Sequence, residues 1–288
     1  MSDYTAAALN GGEIQLEQSS IQALSDTLAG SLLSPGSPGF DQARTIWNGM
    51  IDRRPALIAQ CVSADDVAAA VKFATSNDLL IAVRGGGHNV AGNAVCDGGM
   101  MIDLSRMKSV AVDDAGTVTA GPGCTLGELD AATQAHGRVV PGGIVSSTGI
   151  AGLTLGGGFG WTSRNYGFTV DNLLSVEMVL ADGSQVTASA DENADLFWGV
   201  RGGGGNFGVV TSFKYKSFEL GPEVYCGLIV KPFDQARDYL RFYRDYVRKL
   251  PDEMTVWTVL RKAPPLPFLP EEIHGQLVSC LLYTSDAA

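Results

Sequence analysis

Three consecutive glycines follow directly after a short apolar segment, and they restrict what this part of the chain can fold into. Residues 79–83 are all apolar, which is typical of a buried strand, and the next residues are Arg84, Gly85, Gly86, Gly87, His88 and Asn89. Glycine adds no side-chain packing and costs backbone entropy, so such a run is expected where the main chain takes unusual φ/ψ angles or approaches another group closely. The N–H groups of such a turn can converge on an anion, and Arg84 would add a positive charge beside them. The segment therefore predicts a pyrophosphate-binding turn with a nucleophilic imidazole at its edge, or alternatively a tight turn that His88 merely caps.

The residues before this turn predict a strand–helix–strand unit. Residues 56–62 are typical of a strand, and Ser63 with Asp66 forms a helix start that resembles a capping box. Apolar residues then recur at helical spacing until the helix ends at Asn77 and Asp78, and the second strand follows. This order is typical of any α/β domain and by itself indicates no particular function.

Two further glycine clusters lie at residues 149–160 and 201–208. The second of them contains a formal G-x-G-x-x-G pattern from Gly203 to Gly208. A dinucleotide fingerprint must open a helix, whereas residues 209–213 are typical of a strand, so we reject a Rossmann motif. The sequence has neither a Walker motif nor a G-x-S-x-G nucleophile motif. Three glycine turns in one domain instead predict an extended, phosphorylated dinucleotide lying across it.

The formal net charge of −11 argues against binding of nucleic acid and of anionic membrane surfaces. No apolar run approaches the roughly 18–20 residues that span a bilayer. Residues 1–12 lack the pattern of a secretory signal, so we expect a cytoplasmic protein that binds neither nucleic acid nor membrane. The five cysteines are scattered and no two of the three histidines have metal-ligand spacing, so we predict no metal site.

The glycine clusters end near residue 220, where Gly221 and Pro222 mark a change in character. Residues 224–231 and 254–260 are typical of strands, and residues 233–250 predict an amphipathic helix between them. Two strands and one helix are too few to close a layer. We therefore predict two domains, one at 1–220 and the start of an incomplete second one at 221–279. Residues 280–288 match a back-translated transposon-type sequencing adaptor, and we expect the natural protein to continue where they begin.

Three motifs, taken in order and with their spacing, carry a resemblance to a known family. They are Arg84-Gly85-Gly86-Gly87-His88-Asn89; then Gly149-x-x-Gly152-x-x-x-Gly156-Gly157-Gly158-x-Gly160 with Arg164-x-Tyr166-Gly167 and Asp171-Asn172; and then Asn206-Phe207-Gly208-Val209-Val210-Thr211. In these motifs the chain resembles the berberine-bridge-enzyme-like FAD-linked oxidases of the vanillyl-alcohol-oxidase/p-cresol-methylhydroxylase (PCMH) superfamily. The resemblance is strong over residues 45–218 and weaker over 220–279.

The resemblance implies an α+β fold with FAD as the cofactor. It implies a two-lobed PCMH-type FAD-binding domain at 1–220, with its motif region at about 52–220, and an antiparallel-sheet substrate domain that is incomplete here. His88 would be the histidine bonded to the flavin 8α-methyl group, because a neutral imidazole is a competent nucleophile near pH 7. Residues 84–89 would hold the pyrophosphate, 142–149 would line the isoalloxazine ring, and 206–210 would lie on the adenosine side. The implied cofactor-binding residues are Val83, Arg84, Gly85, Gly86, Gly87, His88, Asn89, Gly142, Gly143, Ser147, Thr148, Gly149, Gly152, Gly156, Gly157, Gly158, Asn206, Gly208, Val209 and Val210.

Val145 departs from the family pattern, because many members carry at this position a cysteine that forms a second bond to the flavin. We therefore predict a single covalent link. Thr148 matches a position that the family uses to control the access of oxygen to the flavin. A threonine there leaves oxidase and dehydrogenase activity both open.

The resemblance implies an oxidoreductase for an alcohol, an amine or a carbohydrate-like substrate. Hydride would pass to the flavin, which oxygen or another acceptor would then reoxidise. Family members take their catalytic base, often a tyrosine or a glutamate, from the C-terminal half, so we name no catalytic residue in this chain. Two alternatives stay open: a non-covalent FAD reductase of the same fold, in which His88 only shapes the turn, and an inactive flavin-binding fragment.

Overall fold

The structure is a computed structural model and describes residues 4–285. The strands are β1 (Tyr4–Ala7), β2 (Glu13–Leu16), β3 (Ser31–Leu33), β4 (Leu57–Gln60), β5 (Ile81–Arg84), β6 (Met100–Asp103), β7 (Val110–Val112), β8 (Thr117–Ala120), β9 (Arg138–Val139), β10 (Leu173–Val179), β11 (Gln185–Ser189), β12 (Val209–Lys216), β13 (Phe218–Glu219), β14 (Tyr225–Pro232), β15 (Met254–Lys262) and β16 (Leu277–Ser285). The α-helices are α1 (Gln18–Thr27), α2 (Phe40–Ala43), α3 (Ala64–Ser76), α4 (Leu126–Gln134), α5 (Ile150–Leu155), α6 (Ser163–Tyr166), α7 (Ala194–Val200) and α8 (Ala236–Val247), and 3₁₀ turns lie at Thr169–Asn172, Phe233–Gln235 and Glu271–Ile273.

A four-stranded sheet in the order β3-β4-β6-β5 forms the first core. Strands β4 and β5 both pair in parallel with β6, and β3 pairs antiparallel with β4. One face of this sheet packs against helices α1 and α3, while Ile58 and Met101 on the other face pack against Phe40 of α2. Strands that are covered on both faces are apolar along their whole length, which explains why β4 and β6 are recognisable as apolar runs in the sequence.

Helix α3 begins at a side-chain cap, as the sequence predicts. The Ser63 hydroxyl accepts a hydrogen bond from the Asp66 N–H at 3.1 Å. The buried Asp66 carboxylate in turn accepts hydrogen bonds from the N–H groups of Ala29 (2.8 Å), Gly30 (3.2 Å) and Val62 (2.8 Å). One buried carboxylate thereby satisfies three backbone donors and ties the segment after α1 to the end of β4.

A five-stranded antiparallel sheet in the order β11-β10-β12-β8-β7 forms the second core. The sequence predicts a hairpin at residues 173–188 that turns at Asp182 and Gly183, and β10 with β11 confirms it, with Gly183 in the left-handed region at the turn (φ +77°). Strand β12 carries the fully buried Phe213 and Tyr215, and the Tyr215 hydroxyl lies 2.8 Å from the hydroxyl of Thr154 in α5. This buried pair joins helix α5 to the sheet, and burial raises the pKa of Tyr215.

The sequence predicts a short helix near residues 21–33 and no strand among residues 1–40, and the structure differs on both points. The predicted helix near 21–33 ends at Thr27, and Ser31–Leu33 form strand β3 instead. The reason is that Gly30 packs on the backbone of β4, where an added Cβ atom would lie 1.9 Å from the Gln60 carbonyl oxygen. An antiparallel hairpin of β1 and β2, which was not predicted from the sequence, precedes α1.

The residues after 220 form a third, antiparallel sheet in the order β14-β16-β15, where the sequence predicted only two strands and a helix. Helix α8 packs on it, and the hydroxyls of Tyr239 and Tyr243 donate to the carbonyls of Cys280 and Val256, both at 2.9 Å. The missed strand β16 is central and includes residues 280–285 of the predicted adaptor-derived tail. Residues 286–288 lie outside the described residues, and a foreign origin of 280–288 stays a prediction.

The third sheet contacts the second core mainly at one aromatic junction. Trp257 of β15 stacks on Trp161 with ring centroids 4.6 Å apart, and the Thr255 hydroxyl donates to the Trp161 carbonyl at 2.6 Å. The guanidinium of Arg164 donates to the Leu250 carbonyl at 3.1 Å, just beyond the carboxyl end of α8. These contacts hold the third sheet beside the glycine segment that follows α5.

Candidate cofactor site

The three glycine segments meet along one groove, as the sequence predicts. The groove has a volume of about 780 Å³, which lies within the roughly 300–1,000 Å³ of typical ligand pockets. Its walls come from the carboxyl end of β5 in the first core, from α5, and from the start of β12 in the second core. A ligand in this groove would therefore contact both cores.

The first two glycine segments touch through their backbones at Gly86 and Gly149. A Cβ atom added to Gly86 would lie 2.4 Å from Cα of Gly149, and one added to Gly149 would lie 2.6 Å from Cα of Gly86. Beside them, a Cβ atom on Gly85 would lie 2.9 Å from the carbonyl oxygen of Pro122. The consecutive glycines are therefore explained by close backbone approach, and the contact brings the turn after β5 against the start of α5.

The third glycine segment is fixed to the end of α5. The N–H groups of Gly202 and Gly204 both donate to the Leu155 carbonyl, at 3.1 and 2.9 Å. Gly208 has a φ of +144°, and a Cβ atom there would lie 2.5 Å from the Val179 carbonyl oxygen. These constraints place the turn before β12 across the groove from the turn after β5.

Unpaired backbone N–H groups, rather than charged side chains, are the groups that this groove offers to an anion. The N–H groups of Gly85, Gly86, Gly87 and His88 form no hydrogen bond within residues 4–285. Gly87 has a φ of +69°, the left-handed conformation that turns successive N–H groups toward one side. The groove-lining residues include no Lys, Arg, Asp or Glu in the described part of the chain. A pyrophosphate would therefore be bound by the dipoles of this turn.

Arg84 does not line the groove, although its Nε would lie 3.2 Å from a Cβ atom added to Gly87, so the predicted positive charge lies beside the turn but outside the groove lining. Its Nη1 donates to the Ala43 carbonyl, and its Nε lies 3.9 Å from the carboxylate of Asp103. Asp103 is completely buried opposite Arg84 in the neighbouring strand β6. A buried carboxylate needs a nearby cation or hydrogen-bond donors, so Arg84 compensates the charge of Asp103 inside the first core.

His88 lies in the groove wall beside an aromatic residue that the sequence analysis missed. Its imidazole stacks on the indole of Trp47, with ring centroids 4.4 Å apart and ring planes at 23°. The Nε2 atom is buried and has no hydrogen-bond partner among the described residues. Stacking holds the plane of the ring without using the Nε2 atom, so no protein group competes for its lone pair or proton.

Most of the predicted cofactor-binding residues line this groove. They are Val83, Gly85, Gly86, Gly87, His88, Asn89, Thr148, Gly149, Gly152, Gly156, Asn206, Gly208, Val209 and Val210. The predicted residues that do not line it are Arg84, Gly142, Gly143, Ser147, Gly157 and Gly158.

Two of the predicted glycines outside the groove, Gly143 and Gly158, have packing roles. A Cβ atom on Gly143 would lie 2.6 Å from Leu153, so this glycine allows the chain to cross the second core. The Gly158 carbonyl accepts a hydrogen bond from the Thr169 N–H at 2.9 Å. This bond ties Gly158 to the 3₁₀ turn at Thr169–Asn172. Ser147 lies in an exposed turn just before the groove.

The sequence analysis missed part of the groove wall. The unpredicted lining residues are Ile81, Ala82, Asn93, Ala94, Leu104, Ala151, Leu153, Leu155, Gly204 and Gly205. One signal was available: β5 is an edge strand, and the period-two spacing of Ile81 and Val83 places both on one face, where they are 40% and 37% exposed. Nothing in the sequence identified Trp47 as the partner of His88.

Within residues 4–285 no helix is both long and apolar enough to cross a membrane. The same residues contain no group of three or more His, Cys, Asp or Glu side chains arranged to hold a metal ion.

Comparison with known proteins identifies the kind of domain to which the groove belongs. Residues 55–189 match the family described as FAD binding domain. The (R)-6-hydroxynicotine oxidase of Paenarthrobacter nicotinovorans is 41% identical over 204 residues, which cover 70% of this chain and 44% of that protein. The solved structure of BBE-like 1 from Physcomitrella patens has a TM-score of 0.84 at 26% identity, covering 93% of this chain and 56% of that one.

Glucooligosaccharide oxidase from Acremonium strictum, a protein described as carrying a 6-S-cysteinyl, 8α-N1-histidyl FAD, has a TM-score of 0.81 at 30% identity. That match covers 93% of this chain and 55% of the oxidase. This chain thus spans about half the length of the proteins that it matches.

The fold and the groove together define an FAD-binding domain with a mixed α and β structure. More narrowly, the homologues of this chain are berberine-bridge-enzyme-like FAD-linked oxidases, the family that its glycine motifs resemble.

Proposed function

We propose that this chain is the FAD-binding part of an oxidoreductase that oxidises a small molecule at an alcohol, amine or carbohydrate-like carbon. When bound, FAD supplies a two-electron acceptor for hydride, and oxygen or another acceptor takes the electrons on. The observation that carries this proposal is the groove at which the three glycine turns meet, with His88 in its wall. Relatives of this chain include an oxidase named for 6-hydroxynicotine and one named for glucooligosaccharides, so an amine and a sugar are the two substrate classes to test first.

The groove residues fit an adenine–flavin dinucleotide. The unpaired N–H groups at 85–88 would donate to the pyrophosphate, and no carboxylate among the described lining residues would repel it. Ile81 and Val83 present apolar side chains to the same space, and so do Val209 and Val210, which suits flat aromatic rings. The backbone contact of Gly86 with Gly149 gives the ligand a wall without side chains, against which it can lie closely.

His88 would hold the cofactor covalently through the 8α-methyl group. The bond exchanges one C–H bond of the methyl group and the N–H bond of the imidazole for a C–N bond. Two protons and two electrons leave, and dioxygen takes them up as hydrogen peroxide. The role of His88 here is to present a neutral ring nitrogen, and the unpaired Nε2 atom with the stacked ring plane is compatible with that role.

A single covalent link is part of the proposal. Glucooligosaccharide oxidase is described as having a cysteinyl bond in addition to the histidyl bond. In this chain Val145 stands where the second bond is expected, and its side chain is 45% exposed in the turn before Thr148. An aliphatic side chain cannot form the bond, so His88 would be the single point of attachment.

The domain assignment follows the same proposal. The first and second sheets would be the two lobes of a PCMH-type domain at 1–220, and β14 with α8 and β15 would begin the substrate domain at 221–279. The aromatic junction of Trp161 with Trp257 lies where these two parts meet. This placement supports a substrate site between the third sheet and the flavin-binding domain.

The test is whether flavin stays with the chain after denaturation. The 288-residue chain is produced with FAD, denatured in acid and separated from free flavin, and the absorbance of the protein fraction is measured. We expect the wild type and a His136→Ala variant, which alters an exposed histidine at the end of α4, to retain flavin. We expect His88→Ala to lose it. Release of flavin from the wild type would favour the non-covalent reductase.

Enzymatic activity needs a separate test, because an inactive flavin-binding fragment would also pass the first one. Anaerobic titration of the flavin-loaded chain with 6-hydroxynicotine-type amines and with oligosaccharides measures bleaching of the oxidised flavin. Bleaching with either class would argue against the inactive fragment. A flavin that sodium dithionite reduces but none of these substrates does would favour the inactive fragment.

A further inference from the structure

We propose that residues 43–54, named the strap here, position the imidazole of His88 for its bond to the flavin, with Trp47 as the principal positioning residue. This inference rests on the covalent attachment proposed above. The strap begins at Ala43, the last residue of the short helix α2, contains no strand, and is hydrogen-bonded to the turn that carries His88. Beyond α2, its hydrogen bonds reach residues between 84 and 98, on both sides of His88, which argues for a role in the position of His88.

The strap holds the chain on both sides of His88. Before His88, the N–H of Trp47 donates to the Gly87 carbonyl at 3.0 Å. After His88, the side-chain amide of Asn48 donates to the Val90 carbonyl at 2.8 Å. Two consecutive strap residues thereby fix the backbone one residue before and two residues after His88.

The strap itself is anchored farther along the same loop. The Arg53 guanidinium donates to the carbonyls of Gly92 (2.9 Å) and Val95 (3.0 Å), and the Arg54 N–H donates to the Asp97 carboxylate at 2.8 Å. At the other end, Arg84 donates to the Ala43 carbonyl. The strap is therefore bonded to the His88 loop from residue 84 to residue 97, which leaves little freedom for the two to slide past each other.

The backbone hydrogen bonds do not restrict rotation of the His88 imidazole about its side-chain bonds, and Trp47 restricts this rotation by stacking on the ring. Its indole lies 4.4 Å from the ring of His88 at an angle of 23°, while the Nε2 atom of that ring is buried without a hydrogen bond. Metal-binding and catalytic histidines are usually oriented by a hydrogen bond to the second ring nitrogen. Within the described residues neither ring nitrogen of His88 has a hydrogen bond, so whichever nitrogen reacts, the stacked indole takes over the orienting role. Trp47 is nevertheless 58% exposed, which a purely core-forming tryptophan would not be.

The test compares how fast the 288-residue chain attaches FAD, using flavin-free protein mixed with FAD and quenched in acid at intervals. Trp47→Leu keeps an apolar side chain but removes the flat ring, and Trp47→Phe restores a ring. Trp198→Leu is the matched control, because Trp198 is 80% exposed on α7 and outside the groove. Displacing a reacting group by about 1 Å costs on the order of 100-fold in rate. We expect Trp47→Leu to attach FAD about 10- to 100-fold more slowly, with Trp47→Phe and Trp198→Leu close to the wild type.

A spectroscopic readout separates positioning from simple loss of stability. In flavin-free protein the ring protons of His88 should show an upfield NMR shift from the indole, which Trp47→Leu removes and Trp47→Phe partly keeps. Equal attachment rates in Trp47→Leu and wild type, with flavin retained in both, would overturn this inference and leave the proposed function intact. Release of flavin from the denatured wild type would instead overturn the covalent bond and this inference with it. A slow Trp47→Leu variant with an unchanged His88 shift would also count against positioning.

Discussion

Replacement of Gly86 by alanine tests whether the two glycine turns really form one wall of the groove. An added methyl group would lie 2.4 Å from Cα and 2.6 Å from N of Gly149. Carbon atoms in contact are ordinarily about 3.5–4.0 Å apart, so the two turns would have to separate by more than 1 Å. Both atoms belong to the main chain, and no side-chain rotation can relieve the clash.

The cost of this separation can be bounded. Overpacking of a rigid site typically costs about 1–3 kcal/mol, and we expect Gly86→Ala to lie near the upper value because backbone opposes backbone. The same movement widens the groove where the pyrophosphate would bind, so we expect FAD to bind at least about tenfold more weakly, equivalent to about 1.4 kcal/mol. Urea unfolding followed by tryptophan fluorescence measures the first effect, and flavin fluorescence quenching measures the second.

Gly152→Ala is the stability control for this experiment. Gly152 lies in α5, and apart from its chain neighbours and the backbone of its own helix, no described heavy atom lies within 4 Å of an added Cβ atom there. Alanine is favoured over glycine inside a helix by about 1 kcal/mol, so this variant should be as stable as the wild type or more stable. If Gly86→Ala unfolded at the same urea concentration and bound FAD with the same affinity as the wild type, the described contact of the two turns would be wrong.

Three further predictions concern the cores and the thiols. Asp66→Ala removes the acceptor of three partly buried N–H groups and should lower the free energy of unfolding by about 1–3 kcal/mol. Asp65→Ala, at the exposed neighbouring position, should change it little. Equal effects of the two variants in urea titrations would contradict this. Tyr215→Phe leaves the threonine hydroxyl beside it unpaired and should cost about 1–2 kcal/mol in the same titrations. Burial raises the pKa of the Cys61 thiol to about 12, so this thiol should stay protonated and unreactive at pH 8. Cys226 is the exposed cysteine among those described, and a thiol reagent should modify the native chain there. More than one fast-reacting thiol would refute this.

The sequence predicted the glycine turns and their shared groove well, because three glycine clusters have few other physical explanations. It could not predict which backbones meet. Gly86 and Gly149 are far apart in the chain, and their contact depends on how the first core packs against α5. The residues that line the groove between the motifs, such as Leu104 and Leu155, look like ordinary core residues in the sequence.

Arg84 shows why charge beside a glycine turn is an ambiguous signal. In the sequence, an arginine next to three glycines indicates an anion site. In the fold, the parallel register of β5 and β6 places Arg84 opposite the buried Asp103, and this pairing determines where the guanidinium lies. Such a register is a tertiary property and cannot be obtained from the spacing of residues along the chain.

Strand β16 was missed for a different reason. Residues 277–283 are mostly apolar and have the composition of a strand, but residues from 280 onward were interpreted by their likeness to an adaptor. Origin and conformation are separate questions, because any apolar segment of suitable length can complete an open antiparallel sheet. A cytoplasmic location also stays a prediction.

Because the two glycine turns meet in one groove, unfolding of the first core is coupled to unfolding of the second. Each core supplies one side of the groove, so a ligand seated there can bind only while both cores are folded and docked. Mass action then adds about 2.7 kcal/mol to their joint stability when free FAD is at 100 times its dissociation constant. A covalently attached flavin cannot dissociate as the domain loosens. Covalent attachment would thus make the stabilisation of the folded domain by the flavin independent of the concentration of free FAD.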